Sequence, residues 1–476
     1  MRRVPMAAAM GLLALAGGGV ARAADPARPP NVVLVVADDL GWGDLGVFGN
    51  PTIRTPRLDA MATEGQKWTS FYSGESVCTP SRAALLTGRL AVRSGMNPPN
   101  DARRVLFPDS TGGLPASEIT IAELLKGRGY ATTAIGKWHL GHLPAHLPMA
   151  HGFDHYFGIP YSNDMDMIPI PGASFGGEDP RRRERVMNPR VDDWKVPLMR
   201  DAAVVERPAD QTTITKRYTE EAVRFIRDNK SRPFFLYLAH TMPHVPLFAS
   251  PEFAGKSRRG PYGDVVEEID ASVGQVQDTL RELGLDRQTL VIFTSDNGPW
   301  SRFDEQAGSA GPLRGAKGST FEGGMRVPTI FWWPGTIRPG VVADMGTVMD
   351  LLPTLSALAG ATAPADRILD GYDLTGVLLR NEKSPRQDVF YYRGPTLYAL
   401  RHGPYKAHFF TKSEYVKDAE LAHDPPLLYD LDQDPGERWD VAARHPDVIE
   451  ELRKIAAAHA RTLQPVENQL VPRAAP

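Results

Sequence analysis

Two continuous apolar, β-branched runs stand out along the chain, Asn31–Ala37 and Thr289–Thr294. Neither alternates with polar positions, which is how strands covered on both faces of a parallel sheet read. Pro233–Ala239 is a third such run and Tyr130–Ile135 a shorter fourth, while Lys67–Tyr72 reads as a strand of mixed character. Helical patterning fills the intervals. Thr55-Pro56 opens a helix carrying Leu58, Met61 and Ala62 that closes at Gly65. Thr79 is placed to cap a helix with Pro80 at its first position, Ala83–Leu86 continuing it and Gly88 stopping it. Thr120 and Glu123 form a capping box for Ile121–Lys126. Further helices are expected over Thr215–Asp228 and after Asp264, which is read as the cap of an amphipathic stretch bearing Val265, Val266, Ile269, Val273, Val276 and Leu280. Strand alternating with helix predicts an α/β domain built on a large, mostly parallel sheet flanked by helices. From about Asp388 the pattern changes to short aromatic strands, Val389–Tyr392, Tyr398–Arg401, Lys406–Phe410 and Leu427–Asp430, followed by a helix over Pro446–Leu463. A small C-terminal antiparallel sheet packed by a helix is expected there. The division is therefore 24–385 for the large domain and 386–476 for the small one. Residues 165–210, rich in Pro, Arg, Asp and Met with little periodicity, read as a surface excursion near the active-site mouth.

The ends of the apolar strands carry the chemistry. Asn31–Ala37 runs into Asp38-Asp39, and Thr289–Thr294 into Ser295-Asp296-Asn297-Gly298. Ligands of open α/β sheets bind outside the carboxyl ends of the strands, and all-oxygen donors of this kind suit Ca²⁺ or Mg²⁺ rather than zinc. The only cysteine, Cys78, falls just ahead of the expected Thr79-capped helix, where the N-terminal dipole would lower its pKa. After Tyr130–Ile135 comes Gly136-Lys137-Trp138-His139-Leu140-Gly141; in extended chain Lys137 and His139 would face the same way, both towards an anion. His240 and His244 follow Pro233–Ala239. Leu313–Gly324 is Gly-rich and bears Lys317, without the spacing of a P-loop.

Cys78-Thr79-Pro80-Ser81-Arg82 with Ala83-Ala84-Leu85-Leu86-Thr87-Gly88-Arg89 resembles the signature of the type I, formylglycine-dependent sulfatases. Gly136–Gly141, the Asp38-Asp39 and Asp296-Asn297 pairs, the Lys317 loop, Met349–Thr354 and Leu369–Leu374 match the same family in order, from Asn31 to about Asp440, nearest its arylsulfatase A and N-acetylgalactosamine-6-sulfatase types. The resemblance implies an alkaline-phosphatase-like fold and hydrolysis of sulfate esters. It implies conversion of Cys78 to formylglycine by a dedicated maturation enzyme, and a metal, Ca²⁺ in preference to Mg²⁺, on Asp38, Asp39, residue 78, Asp296 and Asn297. Lys137, Lys317 and His244 would hold the sulfate, with His240 the rival to His244 and Ser162 a further sulfate contact. His139 would be the base that discharges sulfate, either His244 or Lys317 the proton donor to the leaving oxygen, and Arg82 would reach back to the hydrate or the metal carboxylates.

Composition narrows the field without adding chemistry. With 476 residues, 42% hydrophobic content and a net charge of −3, the chain is a globular protein without the basic field that nucleic acid requires. One cysteine permits no intramolecular disulfide. Met1-Arg2-Arg3, the apolar Met6–Val20 and Ala21-Arg22-Ala23 read as a secretory signal peptide over 1–23, too short and too rich in Ala and Gly for a stable membrane span. Export to a bacterial periplasm or beyond is expected, and the sequence is compatible with an oligomer. The competing readings are a phosphonate monoester or phosphodiester hydrolase of the same superfamily, a non-catalytic binder of sulfated glycans, and a thiol hydrolase using Cys78 itself. The substrate, whether a sulfated small molecule, sugar, polysaccharide or lipid, is not written in these motifs.

Overall fold

The structure is a computed structural model describing residues 28–97, 103–172, 179–414 and 419–471; the expected signal peptide lies outside them. At its centre is β1 (Asn31–Ala37), every residue of which is buried. It pairs in parallel with β7 (Phe234–Ala239) on one side and β8 (Thr289–Ser295) on the other. The full ten-stranded sheet has the order β10 (Gly340–Thr347), β2 (Gln66–Tyr72), β9 (Thr329–Trp332), β8, β1, β7, β3 (Ala131–Gly136), β4 (His155–Gly158), β5 (Leu198–Arg200) and β6 (Ala203–Glu206). Pairings are parallel except those of β9 with its two neighbours and those of β5.

Because side chains alternate across a strand, β1 feeds two cores. Val33 and Val35 enter one with Leu58 of α1 (Pro56–Glu64), Tyr218 and Ile226 of α5 (Ile214–Asp228) and Val273 and Leu280 of α6 (Gly260–Glu282). Val32, Leu34 and Val36 enter the other with Leu85 of α2 (Cys78–Thr87), Ile121 of α3 (Ile121–Lys126) and Leu355 of α8 (Leu351–Ala359). Each such side chain contributes about 1.5–3 kcal/mol by leaving water, so the unbroken apolar run is what a strand sandwiched between two helix layers needs. Among the described residues no helix is long and apolar enough to cross a membrane.

The second sheet, β11 (Asp388–Arg393), β12 (Thr396–His402), β13 (Tyr405–Thr411) and β14 (Leu421–Asp430), is antiparallel in that order. Ile449 and Leu452 of α10 (Pro446–Ala460) cover it against Leu400, Ala407 and Leu428. Val389, Tyr391 and Ala399 join it to Tyr72, Met325 and Met345 of the large domain.

Three local expectations are corrected. The helix after Val77 begins two residues earlier than expected, at Cys78 rather than Pro80, and Thr79 is not its cap: its hydroxyl donates to the His139 carbonyl at 3.0 Å and accepts from the Leu106 amide at 3.1 Å. The long helix α6 begins at Gly260-Pro261, because proline suits a first turn. Asp264 lies inside it and accepts from the amides of Gly255, Lys256 and Ser257, tying down the loop before it. The 165–210 excursion is not all surface. It contains α4 (Pro180–Met187) and the edge hairpin β5–β6, and it sends Met165, Trp194, Val196 and Leu198 into the core.

Candidate active site

Strands β8, β1, β7 and β3 lie side by side and parallel, with Ala37 level with Ser295, Val36 with Ala239, and Gly136 with Ala239. Their carboxyl ends therefore deliver Asp296, Asp38, the 240–244 loop and Lys137 to one edge. Gly136 makes that edge tight: its φ is +107°, and a Cβ there would lie 1.8 Å from the Ala239 carbonyl oxygen. Gly298 does the same at the other side, where a Cβ would lie 1.9 Å from the Gly323 oxygen and force the Lys317 loop away.

Cys78 closes the site from below, with its side chain buried. Its Sγ lies 3.6 Å from Asp38 Oδ1 and 4.0 Å from Asp39 Oδ1. Ligand atoms of Asp38, Cys78 and Asp296, and of Asp39, Cys78 and His244, lie within 4.8 Å of one another in each group. The outer carboxylate oxygens are taken by cations: Lys137 Nζ donates to Asp38 Oδ2 at 2.6 Å and Lys317 Nζ to Asp39 Oδ2 at 2.7 Å. Arg82, fully buried, donates from Nε to Asp296 Oδ2 at 2.9 Å and from Nη1 to the Lys137 carbonyl at 2.8 Å. It thus holds the metal-type carboxylates, one of the two roles expected of it. Asn297 Nδ2 donates to Asp39 Oδ1 at 2.7 Å, while its Oδ1 is buried without a protein partner. Hard inward oxygens, with one amide oxygen left over, fit a divalent cation held by Asp38, Asp39, Asp296 and Asn297 beside residue 78.

Electrostatics separates the two aspartates. Burial works against ionisation of Asp38, yet Lys137, Arg82 and Lys317 hold its carboxyl below the usual range. Asp39 is pushed up to about 7: burial dominates, and repulsion from Asp38 and Asp296 adds to it against the pull of Lys317. The Cys78 thiol is pushed up, chiefly by burial. The expectation of a lowered pKa at a helix terminus is therefore corrected: burial outweighs the pull of Lys137 and Lys317 on the Cys78 thiol.

The two histidines are set in defined tautomers. The Leu106 carbonyl accepts from His139 Nε2 at 2.9 Å, so Nε2 carries the proton and Nδ1 is the acceptor; Nδ1 is buried without a partner. Lys137 and His139 do not share a face through extended chain as expected, because His139 has φ +59° and the backbone turns there. His244 Nδ1 donates to the Val245 carbonyl at 2.6 Å, leaving Nε2 3.5 Å from both Asp39 Oδ2 and Ser162 Oγ. Burial holds both rings well below their ordinary pKa, with nearby lysines adding to the effect. Ser162 Oγ also accepts from Lys137 Nζ at 3.2 Å. His240 is elsewhere, against Ser272 Oγ at 3.2 Å in the helix layer. The structure thus brings Asp38, Asp39, Cys78, Arg82, Lys137, Ser162, His244, Asp296, Asn297 and Lys317 together, with His139 packed behind Thr79, and leaves out His240.

Residues that pattern reading missed complete the site. The Trp300 ring lies 5.2 Å from the His244 ring and 4.6 Å below Lys317 Nζ; its position directly after Asp296–Pro299 was the available signal. Arg104 donates to the Gly318 carbonyl at 2.9 Å and to Glu75 at 3.0 Å, from a stretch with no periodicity to mark it.

The fold and site define a metal-type hydrolase of the alkaline-phosphatase-like class, with a buried residue at the nucleophile position. Sequence comparison assigns the family: residues 30–361 match the Sulfatase model and residues 384–475 the model for the C-terminal region of aryl-sulfatase. Arylsulfatase A of Homo sapiens is 44% identical over 94% of this chain and 90% of its own length, and N-acetylgalactosamine-6-sulfatase of Canis lupus familiaris 41% identical over 98% and 93%. The crystal structure of PsFucS1 sulfatase from Pseudoalteromonas sp. superposes with TM-score 0.78 at 32% identity, covering 91% of this chain and 90% of that one. The chain belongs to the sulfatase family and is a sulfuric ester hydrolase, which favours that reading over the phosphonate, phosphodiester and binding-only alternatives.

Proposed function

We propose that the enzyme is an exported arylsulfatase-type hydrolase in which Cys78 is converted to formylglycine and Ca²⁺ is held by Asp38, Asp39, Asp296 and Asn297. The observation that carries this is the convergence of the inner oxygens of Asp38 and Asp39 on Cys78 Sγ, with a lysine on each outer oxygen. Hydrated formylglycine supplies an oxygen nucleophile, and the divalent cation supplies positive charge and polarisation beside it.

The remaining work falls to the chain's own side chains. Lys137, Ser162 and Lys317 line one side of residue 78 and bind the sulfonyl oxygens, whose charge grows in the transition state, while His244 Nε2 accepts from the Ser162 hydroxyl in place of the direct sulfate contact expected of it. The proton for the leaving oxygen comes from Lys317: His244 carries its own proton on Nδ1, facing the Val245 carbonyl, so its Nε2 accepts rather than donates. Release of sulfate requires a proton to be taken at residue 78, and His139 Nδ1 is a neutral, unprotonated ring nitrogen for that purpose. Arg82 keeps Asp296 and the Lys137 backbone in register. Export rests on the charged, apolar and small-residue order of residues 1–23.

The mass of the peptide containing Cys78, from protein made in its own host or with a formylglycine-generating enzyme present, tests the proposal. A formylglycine mass together with turnover of 4-nitrophenyl sulfate is the expected result. An unmodified cysteine in an active preparation would overturn it.

A further inference from the structure

Behind the active site lies a second buried ionic cluster, supplied largely by the C-terminal domain. Glu322, Lys406, His408 and Glu437 all have side chains with no exposed surface. Lys406 Nζ lies 3.0 Å from Glu322 Oε1 and 3.0 Å from Glu437 Oε1, and His408 Nε2 lies 2.7 Å from the same Glu437 oxygen. Tyr72 and Tyr391 donate to the two oxygens of Glu322 at 2.7 and 2.8 Å. None of these groups touches the site's carboxylates, so the mechanism leaves them unused.

Their contacts are with the backbone of the loop that carries Lys317. Lys406 Nζ donates to the Thr320 carbonyl at 2.8 Å. Arg393 Nη1 donates to the Gly318 carbonyl at 2.6 Å, and Arg104 reaches the same oxygen from the large domain. Glu437 Oε2 accepts from the Glu322 amide at 2.7 Å, and the Glu437 carbonyl accepts from Arg314 at 2.9 Å. On the other side the Lys317 amide is fixed to the Pro299 carbonyl at 2.9 Å and the Gly318 amide to the Ser76 carbonyl at 2.8 Å. Gly315 and Gly318 have positive φ, so the loop has little stiffness of its own. It is held between the end of β8, the approach to Cys78, and the C-terminal sheet.

We propose that Arg393, Lys406 and Glu437 are positioning residues for Lys317, so that the C-terminal sheet is part of the catalytic apparatus. The inference rests on the reading of Lys317 as a sulfate-binding and proton-donating group. A lysine stem can swing, but its Cα is set by the carbonyls at 318 and 320, and small displacements of a reacting group cost about tenfold to a hundredfold in rate.

A double-mutant cycle on the matured, full-length enzyme tests this, with 4-nitrophenyl sulfate as substrate and inorganic sulfate as competitive inhibitor. Arg393→Gln is the first variant because its hydrogen bonds include those to the Gly318, Ser413 and Glu414 carbonyls while Arg104 stays paired with the buried Glu75, and Lys406→Gln provides an independent second entry. Each is expected to lower kcat/KM by about tenfold and to weaken sulfate inhibition by a similar factor, while in a Lys317→Ala background the further loss is less than about twofold. Arg393→Lys, which keeps a donor for the Gly318 carbonyl, is expected to recover most of the activity. Equal losses in both backgrounds, or loss of turnover with unchanged sulfate inhibition, would overturn the inference and assign these residues to general stability. If Lys317→Ala alone retained full turnover, the reading of Lys317 itself would fall, and with it the reason for positioning it.

Discussion

Two buried ionic clusters sit back to back across the Lys317 loop, and they are built on opposite principles. In the C-terminal cluster, Lys406, Arg326 and Arg401 outweigh the effect of burial and hold Glu322 down at about 2. Both oxygens of Glu322 are hydrogen-bonded, as are both of Glu437. In the active site, burial and like charge instead push Asp39 up to about 7, and Asn297 Oδ1, Arg82 Nη2 and His139 Nδ1 lack hydrogen-bond partners. Of the C-terminal groups only His408 Nδ1 lacks a partner; carboxylates with every oxygen bonded fix geometry, whereas several open atoms around one point have capacity left for a ligand. The same residue types, at the same depth, thus serve as frame in one place and as binding site in the other.

Removing the proposed nucleophile breaks the contrast most severely. Cys78→Ala is expected to lower turnover of 4-nitrophenyl sulfate by about 10⁴-fold or more with an unchanged circular dichroism spectrum, because a small buried side chain is replaced by a smaller one. A folded variant that still turns over would remove residue 78 from the chemistry. Next comes the cation. Prolonged chelation should suppress activity by about a hundredfold, with Ca²⁺ restoring it better than Mg²⁺; activity indifferent to chelation would contradict the assigned donor set.

Lysine-to-methionine exchange then separates the clusters directly. Lys406→Met leaves Glu322 and Glu437 short of a buried partner and should cost about 3–5 kcal/mol in a urea unfolding experiment. Lys317→Met should cost less than about 1 kcal/mol in the metal-loaded enzyme, where Asp39 keeps a cation, yet lower kcat/KM about a hundredfold. Comparable stability losses in the two variants would erase the distinction between frame and site.

The smallest effect is a pH effect on His240, the histidine of the 240–244 loop that lies outside the site. Burial lowers the pKa of His240 from 6.5 to about 3. Its unfolded form therefore takes up a proton first. The stability it contributes is fully present above pH 6.5 and is lost as pH falls through that value towards 3. His240→Gln should flatten the stability profile between pH 6.5 and 5 by about 2 kcal/mol without altering turnover at pH 7.5. An unchanged profile in the variant would show that this ring does not titrate on unfolding.

Much of this was readable from the chain. Unbroken β-branched apolar runs that end in Asp38-Asp39 and Asp296-Asn297 read as strands of a covered sheet with acids at one edge, and both strands are found side by side in register. Signature runs around Cys78, Lys137 and Lys317 pointed to the same edge. The framing cluster was not readable. Lys406 and His408 are two apart on β13 and look like the wet face of a small sheet, yet both are fully buried. What covers them is Glu322 and Glu437, tens of residues away, and no local period records that pairing. Cys78 was misjudged for a related reason: a helix terminus was visible in the sequence, whereas the burial that overrides its dipole comes from strands far along the chain.

The depth of residue 78 also dictates an order of events in biosynthesis. Its side chain is 1% exposed in the folded protein, so an enzyme that alters it must reach it before the sheet closes over it. The central strand cannot be flanked on both sides until β8 has been made, roughly 200 residues after Cys78 leaves the ribosome, a delay of roughly ten to forty seconds at ordinary rates of synthesis. On the maturation proposed for Cys78, long-range strand pairing, usually a handicap to a folding chain, would keep the signature open to a modifying enzyme while the rest of the protein is still being made.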